Sequence, residues 1–190
     1  MTSRAAEDIA LLERYLQGDV TAFDELMRAH EDRVFGICLR MMRDRNAALD
    51  AVQETFVTVF RKADRYQAKA AFSTWLYRVA VNTCYDQLRK AKRRRTEPLP
   101  ETTDPADPKT DDLINAVELR PDIEQALQAI SEEFRSAVVL VDLEGLALEQ
   151  AAQILDVPIG TVKSRVFRGR KMLAESLGNL RAGSRHPRDE

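Results

Sequence analysis

The sequence predicts an all-α protein made of two small helical domains, joined by a flexible linker that is acidic and rich in proline. Only seven of the 190 residues are glycine, and good helix formers such as Ala, Leu, Glu, Arg and Gln are abundant. Apolar residues recur mainly at spacings of three and four rather than in strict alternation. This spacing is typical of amphipathic helices that pack around a core.

The linker is the most distinctive compositional feature between the two domains. Five of the seven prolines are Pro98, Pro100, Pro105, Pro108 and Pro121. Residues 96–122 carry eight acids, and 96–110 contain almost no large apolar residue, so that stretch cannot form a packed core. The predicted organisation is a first domain at 1–95, a linker at 96–120, a second domain at 121–178 and a disordered tail at 179–190.

Four helices are predicted for the first domain. They run from about Ala5 to Gln17 with an end at Gly18, from about Thr21 to Met42, from a cap at Asn46 to about Tyr66, and from a cap at Ser73 into a basic run. The third helix has a predicted inward stripe of apolar residues at helical spacing: Leu49, Val52, Phe56, Val59, Phe60 and Ala63.

The second domain begins at Pro121, a residue that suits the first turn of a helix. A further helix is predicted over Arg135–Leu143, and a helix-turn-helix follows over Leu148–Phe167. Its parts are a first helix at Leu148–Leu155, a turn at Asp156–Gly160, and a second helix capped by the Thr161 hydroxyl. The inward stripe of the second helix is predicted to be Val162, Val166, Gly169 and Leu173.

The opposite face of this second helix is basic and carries no acid before Glu175. It presents Lys163, Ser164, Arg165, Phe167, Arg168, Arg170 and Lys171. A helix of this kind suits the DNA major groove, since phosphates attract it and Arg or Ser can read base edges. The alternative interpretation is an ordinary solvated helix with a basic face.

A second signal for nucleic acid lies at the end of the first domain. Tyr66, Phe72, Trp75 and Tyr77 precede Arg89–Arg95, which holds six bases in seven residues. Aromatic faces beside cations suit single-stranded DNA, because unstacked bases need a platform and the backbone needs positive charge. Alternatively, Phe72, Trp75 and Tyr77 are core anchors.

Catalytic motifs are missing from the sequence. It contains no phosphate-binding loop, no His-Glu-x-x-His, no paired Cys motif and no Gly-x-Ser-x-Gly. Cys38 and Cys84 are expected to be buried free thiols in a reducing cytoplasm, and His30 is expected at the surface or core rim. The predictions are therefore no enzyme activity, no cofactor and no metal site. A signal peptide and a membrane helix are not predicted either.

Three segments, in order along the chain, resemble the sigma-70 family of bacterial transcription factors, specifically its small extracytoplasmic-function (ECF) group. Asp50–Ala63, DAVQETFVTVFRKA, resembles the polymerase-binding motif of region 2, and FSTWLYRVAVN at 72–82 resembles its promoter-melting segment. Ile130–Leu173 resembles region 4, including Gly-Thr-Val-Lys-Ser-Arg. The VVLVDLEG segment and the basic region after Leu88 resemble SigM-like members from actinobacteria.

The resemblance implies an initiation factor that binds core RNA polymerase at the β′ clamp and the β flap and recognises promoter DNA. It also implies control by an anti-sigma protein, without a small-molecule substrate or direct membrane insertion. The implied polymerase-binding residues are Asp50, Val52, Gln53, Glu54, Phe56 and Arg61. Those for the minus-ten element are Tyr66, Phe72, Trp75, Asn82, Arg89, Lys92 and Arg93. Those for the minus-thirty-five element are Thr161, Lys163, Ser164, Arg165, Phe167 and Arg168.

Two other functions remain open from the residues themselves. A dimeric helix-turn-helix regulator would bind a two-fold duplex site without polymerase and would not need the aromatic segment. An adaptor without DNA contact would leave the basic face of the second helix unexplained.

Overall fold

The computed structural model describes residues 4–42, 44–96 and 121–183, and every regular element in these ranges is helical. The amino-terminal unit contains α1 (Arg4–Leu16), α2 (Val20–Arg28), α3 (Glu31–Met42), α4 (Arg45–Lys62), a 3₁₀ turn (Ala63–Arg65) and α5 (Phe72–Thr96). The carboxy-terminal unit contains α6 (Pro121–Ala129), α7 (Glu132–Val138), a π turn (Val139–Leu143), α8 (Leu148–Leu155) and α9 (Ile159–Gly183).

The predicted all-α fold with two sets of helices is confirmed. Most of the predicted linker lies outside the described residues, because α5 ends at Thr96 and α6 begins at Pro121. At the other end, α9 continues to Gly183, whereas the sequence predicted disorder from residue 179. The rest of that tail, from 184 onward, lies outside the described residues.

The predicted helix from Thr21 to Met42 is wrong, since α2 ends at Arg28 and α3 begins at Glu31. The break coincides with His30, which is buried rather than at the rim. Its Nε2 lies 3.0 Å from Asp8 Oδ1, and its Nδ1 lies 3.3 Å from the Tyr77 hydroxyl. Burial lowers the pKa of His30, against the opposing attraction of Asp8. These tertiary contacts hold the break between two helices of similar periodicity.

Three predicted helix starts are also misplaced by one or two residues. The side chain of Asp44, not Asn46, caps α4 by accepting from Ala47 N at 2.7 Å. Helix α5 begins at Phe72, before Ser73. Helix α9 begins at Ile159, and Thr161 N donates to Pro158 O at 2.9 Å, so the Thr161 hydroxyl is not the cap.

The predicted inward stripe of α4 is partly wrong. Leu49 and Phe60 are 38% and 49% exposed, whereas Ala48, Ala51 and Thr55 are fully buried. The small residues allow α4 to approach α3 and α5 closely, and the Thr55 hydroxyl is satisfied by the Ala51 carbonyl at 2.6 Å. An apolar residue thus faces solvent at each end of the helix.

One hydrophobic core extends through both units, which the sequence did not predict. Residues from α7, the π turn, α8 and α9 join the buried residues of α1–α5 in this cluster, among them Ala137, Leu140, Ala151, Ile154, Val162 and Val166. A smaller core within the carboxy-terminal unit contains Leu127, Ile130, Val138 and Val139. Cys38 and Cys84 are buried and free, as expected. Contact with the Cys84 thiol, together with burial, raises the pKa of Cys38.

The crossing of α9 with α7 depends on Gly169. A Cβ at this position would lie 2.6 Å from Val138 Cγ2 and 3.3 Å from the Phe134 carbonyl oxygen. Such distances are too short, and the carbonyl belongs to helical backbone that cannot move aside freely. Glycine is therefore required by the close approach of the two helices, despite its low helix propensity.

We expect Gly169→Ala to lower the free energy of unfolding by about 1–3 kcal/mol, because overpacking outweighs the gain in helix propensity. Gly178→Ala is the matched control in the same helix, since a Cβ there meets nothing within 4 Å. The control should be neutral or stabilising by up to ~1 kcal/mol. Denaturant unfolding followed by circular dichroism measures both changes. Equal stabilisation by the two substitutions would contradict the close crossing.

Candidate DNA-binding and polymerase-binding surfaces

The helix-turn-helix is formed by α8, a short turn and α9. Asp156 ends α8 in the left-handed conformation, with φ of 52°, and its N–H donates to the Ala152 carbonyl. The sequence placed an Asp at this turn, and Asp tolerates the left-handed region better than most residues. Gly160 lies within the first turn of α9, so the break is shorter than predicted and ends at Pro158.

The inward face of α9 agrees with the predicted stripe. Val162, Val166 and Gly169 are buried, and Leu173 packs at the edge of the smaller core. Packing on this face fixes the rotation of α9 about its axis. As a result, the residues between these positions are turned away from the core.

Four of the predicted minus-thirty-five residues lie together on the outward face of α9. They are Lys163, Ser164, Phe167 and Arg168, all exposed. Phe167 is 72% exposed, the highest value among the large apolar side chains of the described residues. The four positions span little more than one helical turn, the part of a recognition helix that enters a major groove.

Arg165 and Thr161 differ from these four. The Arg165 side chain is only 21% exposed and its Nη2 lies 3.1 Å from Glu133 Oε2 on α7. Thr161 is half-buried, and its carbonyl accepts from the Ser164 hydroxyl at 2.9 Å. The structure therefore turns Arg165 toward α7 rather than into the exposed group.

The predicted polymerase-binding residues on α4 divide into an exposed and a buried set. Asp50, Gln53, Glu54 and Arg61 are exposed, and Glu54 accepts from Gln87 Nε2 at 3.0 Å. Val52 is 7% exposed and packs in the core, so its side chain holds α4 against the rest of the unit and is not available for contact with a partner. Phe56 is half-buried at the edge of that core.

An apolar groove beside this polar face was not predicted. It is an open space of about 380 Å³ whose lining includes Tyr15, Leu16, Val20 and Phe60. Phe60 is half-exposed there, with its ring 5.7 Å from Tyr15 and 5.2 Å from Phe23. Sequence periodicity placed Phe60 inward, and for this reason the groove was missed. Its exposure and the half-exposure of Leu16 could not be inferred without the packing of α1 and α2 on α4.

The predicted minus-ten residues begin at an aromatic cluster before and within α5. Ring centroids of Tyr66, Phe72 and Trp75 lie 5.6–5.7 Å apart. Phe72 is 1% exposed, so it is a core anchor and cannot stack on a base. Tyr66 and Trp75 are half-buried at the rim, and the Tyr66 hydroxyl donates to the Ala70 carbonyl at 2.6 Å. Tyr77 is also buried, as the core interpretation predicted.

The remaining minus-ten residues lie along the exposed side of α5. Asn82 is exposed, as are Arg89, Lys92 and Arg93 in the basic run, which is helical through Thr96. Arg89 Nη2 lies 3.0 Å from Asp86 Oδ1, one turn earlier. The positive side chains are thus presented by a rigid helix rather than by a loop.

Metal-binding clusters and membrane-spanning helices are both absent from the described residues. No group of three or more His, Cys, Asp and Glu side chains in these ranges is placed to hold a metal ion. None of the described helices combines the length and the apolar character needed to cross a bilayer.

Family models match both units of the chain. Sigma-70 region 2 matches residues 26–94, and Sigma-70 region 4 matches residues 120–173. The first match covers α3, α4 and most of α5. The second covers the helices from α6 into α9 and includes the whole exposed group of Lys163, Ser164, Phe167 and Arg168.

The chain is also similar to named proteins along most of its length. It is 41% identical to the ECF RNA polymerase sigma factor SigE of Mycolicibacterium smegmatis, over 85% of this chain and 63% of that one. It is 38% identical to the ECF RNA polymerase sigma factor SigM of Mycobacterium tuberculosis, over 93% of this chain and 87% of that one. Among solved structures, the sigma factor RpoE of Bartonella quintana, in complex with the anti-sigma factor NepR, matches with a TM-score of 0.66. The two sequences are 27% identical, and the match covers 84% of this chain and 98% of RpoE. This chain belongs to the ECF sigma factors of the sigma-70 family.

Proposed function

We propose that the chain binds core RNA polymerase and directs it to promoters by reading a minus-thirty-five element and by reading and melting a minus-ten element. The observation that carries the proposal is the outward face of α9, where Lys163, Ser164, Phe167 and Arg168 are exposed above a tightly packed inward face. Such an arrangement gives a rigid, positively charged reading surface. Transcription reconstituted with core polymerase on candidate promoters tests the proposal directly.

The exposed residues of α9 have different proposed roles in recognising the minus-thirty-five element. The Arg168 guanidinium can reach base edges with paired donors, as arginine does at guanine. Lys163 lies nearer the helix start and suits a phosphate, which positions the helix without reading sequence. Phe167 offers an apolar surface to a thymine methyl group.

Melting of the minus-ten element is assigned to the start and middle of α5. Tyr66 and Trp75 are half-buried at the rim, and both rings pack against the buried Phe72. Asn82 lies exposed further along the same helix, and the basic run beyond it suits the phosphates of the separated strand. A base that leaves the duplex loses its stacking, so a pocket must offset a cost of a few kcal/mol.

Polymerase docking is assigned to the exposed side chains of α4. Asp50, Gln53, Glu54 and Arg61 form a polar face, and the half-exposed Val57 lies among them. An apolar centre with a charged rim is the usual composition of a protein interface. The β′ clamp is the proposed partner of this face, and the β flap that of the carboxy-terminal unit.

Regulation and location follow from the same assignment. A similar sigma factor, RpoE of Bartonella quintana, is in complex with the anti-sigma factor NepR. We extend this kind of control to the present chain and place it with RNA polymerase in the cytoplasm. The chain acts without catalytic activity of its own, since the polymerase supplies the chemistry.

Charge reversal on α4 tests the docking face. We expect Asp50→Lys with Glu54→Lys to weaken binding to core polymerase about tenfold or more, because like charges at an interface cost on the order of kilocalories per mole. Binding is measured by competition against the wild-type chain for labelled core. The matched control is Glu7→Lys with Asp32→Lys, which changes two exposed acids on α1 and α3 by the same charge. Equal losses in the two double variants would refute the assignment.

Loss of the minus-ten pocket should impair promoter opening more than polymerase binding. We expect Asn82→Ala with Tyr66→Ala to reduce the yield of open complex severalfold, while core binding stays at the wild-type level. Permanganate reactivity of unpaired thymines measures opening. Lys69→Ala, an exposed cation in the loop between these residues, serves as the control. Wild-type opening by the double variant would remove these residues from the melting site.

Reading by α9 is tested by three alanine substitutions assayed on a promoter library. Arg168→Ala should cost about 1–3 kcal/mol and relax the preference at one or two base pairs. Lys163→Ala should weaken binding to all promoters alike. It should also reduce by about one the slope of the logarithm of the binding constant against the logarithm of the salt concentration. Arg165→Ala should have a smaller effect on preference, since its guanidinium pairs with Glu133. An Arg165 effect that exceeds the Arg168 effect would contradict the assigned reading face.

A further inference from the structure

Three buried polar side chains adjoin the aromatic cluster that is assigned to the minus-ten element. They are Asp8 of α1, His30 at the break between α2 and α3, and Tyr77 of α5. Their exposed fractions are only 1%, 5% and 3%, although an acid is rarely buried to this extent. Polar groups at such depth need hydrogen-bond partners, so these three side chains restrict one another's positions.

The partners of His30 determine where the proton of its neutral ring lies. Nε2 is 3.0 Å from Asp8 Oδ1, and because a carboxylate can only accept, Nε2 carries the hydrogen. Nδ1 is then an acceptor, and the Tyr77 hydroxyl, 3.3 Å away, donates to it. Burial raises the pKa of Tyr77, so this hydroxyl keeps its proton. The arrangement of donors and acceptors is therefore complete when the imidazole is neutral.

His30 is joined to the aromatic cluster by ring packing. Its ring centroid lies 5.8 Å from that of Phe72, the buried member of the cluster. Phe72 in turn lies 5.7 Å from each of the two rim residues, Tyr66 and Trp75. Because side chains in a protein interior are closely packed, a displacement of the His30 ring also displaces the rings that rest on it.

Helix α1 reaches the same cluster through Asp8. Burial and the negative charge of Asp8 both raise the pKa of Tyr66, and α1 contacts the 3₁₀ turn that precedes this residue. Arg4 holds the carboxylate from its other side, since its Nε lies 3.3 Å from Asp8 Oδ1. The same guanidinium donates to the carbonyl of Ala29, next to His30, at 2.9 Å. The carboxylate is thus fixed relative to the break between α2 and α3.

We propose that Asp8, His30 and Tyr77 are positioning residues for the minus-ten site. They act through Phe72, which orients the two rim residues of the aromatic cluster toward promoter DNA. The inference rests on the proposed function, because it concerns how the same site opens DNA. It extends that site to α1 and to the break between α2 and α3, to which no DNA contact is assigned.

Acidity should weaken this arrangement. A charged imidazolium carries hydrogen on both nitrogens, so Nδ1 can no longer accept from the Tyr77 hydroxyl. Burial is the main cause that lowers the pKa of His30, against the attraction of Asp8. The positive charges of Arg4 and Arg33 lower it further, and the Arg33 guanidinium lies 5.6 Å from the centre of the Tyr77 ring. The neutral form is therefore complete above the usual histidine pKa and is lost as the pH falls through the lower value of the folded chain.

Fluorescence of Trp75, the single tryptophan of the chain, measures the state of the cluster. In the full-length chain, emission should shift to longer wavelength as the pH falls from about 8 to about 5, the range in which histidines change charge. His30→Gln should abolish this transition, because an amide can donate to Asp8 and accept from Tyr77 but does not titrate there. His186→Gln, which removes the other of the two histidines, is the matched control and should titrate like the wild-type chain.

Asp8→Asn tests the direction of the electrostatic coupling. The negative charge of Asp8 favours the charged form of His30, so its removal should move the fluorescence transition to lower pH. An amide of nearly the same shape still offers an oxygen to Nε2. A transition that stays in place or moves to higher pH would contradict the pairing of these two side chains.

Promoter opening by the holoenzyme is the second measurement. His30→Leu should reduce the yield of open complex severalfold while core binding stays at the wild-type level, because Asp8 and Tyr77 both lose their partner. His30→Gln should restore opening. The ratio of its yield to the wild-type yield should rise as the pH falls, and taking this ratio removes the pH dependence of the polymerase itself. Tyr77→Phe, which removes only the hydroxyl, should reduce opening in the same direction if His30→Leu lowers the helicity of the chain.

The outcomes separate a positioning role from a purely structural one and from the proposed function. A wild-type Trp75 emission that does not change with pH overturns the inference, as does a ratio of His30→Gln to wild-type opening that is the same at every pH. Equal losses of core binding and opening in the folded His30→Leu variant also overturn it, since they indicate general damage to the unit. These results leave the proposed function intact. A wild-type holoenzyme that opens no promoter would refute the proposed function and the positioning role together.

Discussion

Arg135 is the side chain on which the arrangement of the two units most depends. A guanidinium cannot lose its proton, so its burial demands hydrogen-bond acceptors on every side. The carbonyls near the end of α6 and in the last turn of α3 provide them. Because the same cation bonds to both helices, the orientation of α7 is tied to each unit. The π turn and Glu144, which follow α7 directly, are thereby directed onto α3.

Close apolar packing and ion pairs both determine how the helices are arranged in this fold. Within each unit, close apolar crossings such as Gly169 against Val138 fix the rotation of helices and therefore which side chains face outward. Between the units, the shared apolar core is accompanied by ion pairs of Glu144 with Arg33 and Arg40. Packing of its inward side thus fixes the rotation of α9, and with it the side chains that face solvent.

Exposure distinguishes supporting residues from contacting residues in both proposed DNA sites. In the aromatic cluster, Phe72 is buried and can only support Tyr66 and Trp75. On α9, Arg165 is turned toward Glu133, whereas Arg168 is free of the core face. The sequence motifs alone do not distinguish the buried residues from the exposed ones. Their different burial predicts different consequences of substitution, in stability for one group and in recognition for the other.

The sequence by itself determined the all-α class, the two sets of helices, the helix-turn-helix and the inward stripe of α9. These features follow from local periodicity and turn residues, which act over a few positions along the chain. The tertiary structure alone decided the break at His30, the exposure of Phe60 and the pairing of Arg165. It also decided the contacts of Arg135 and Glu144 with α3. Each of these depends on partners far apart in sequence, such as Asp8 for His30 and Met41 for Arg135, and one-dimensional spacing carries no information about which distant helices meet.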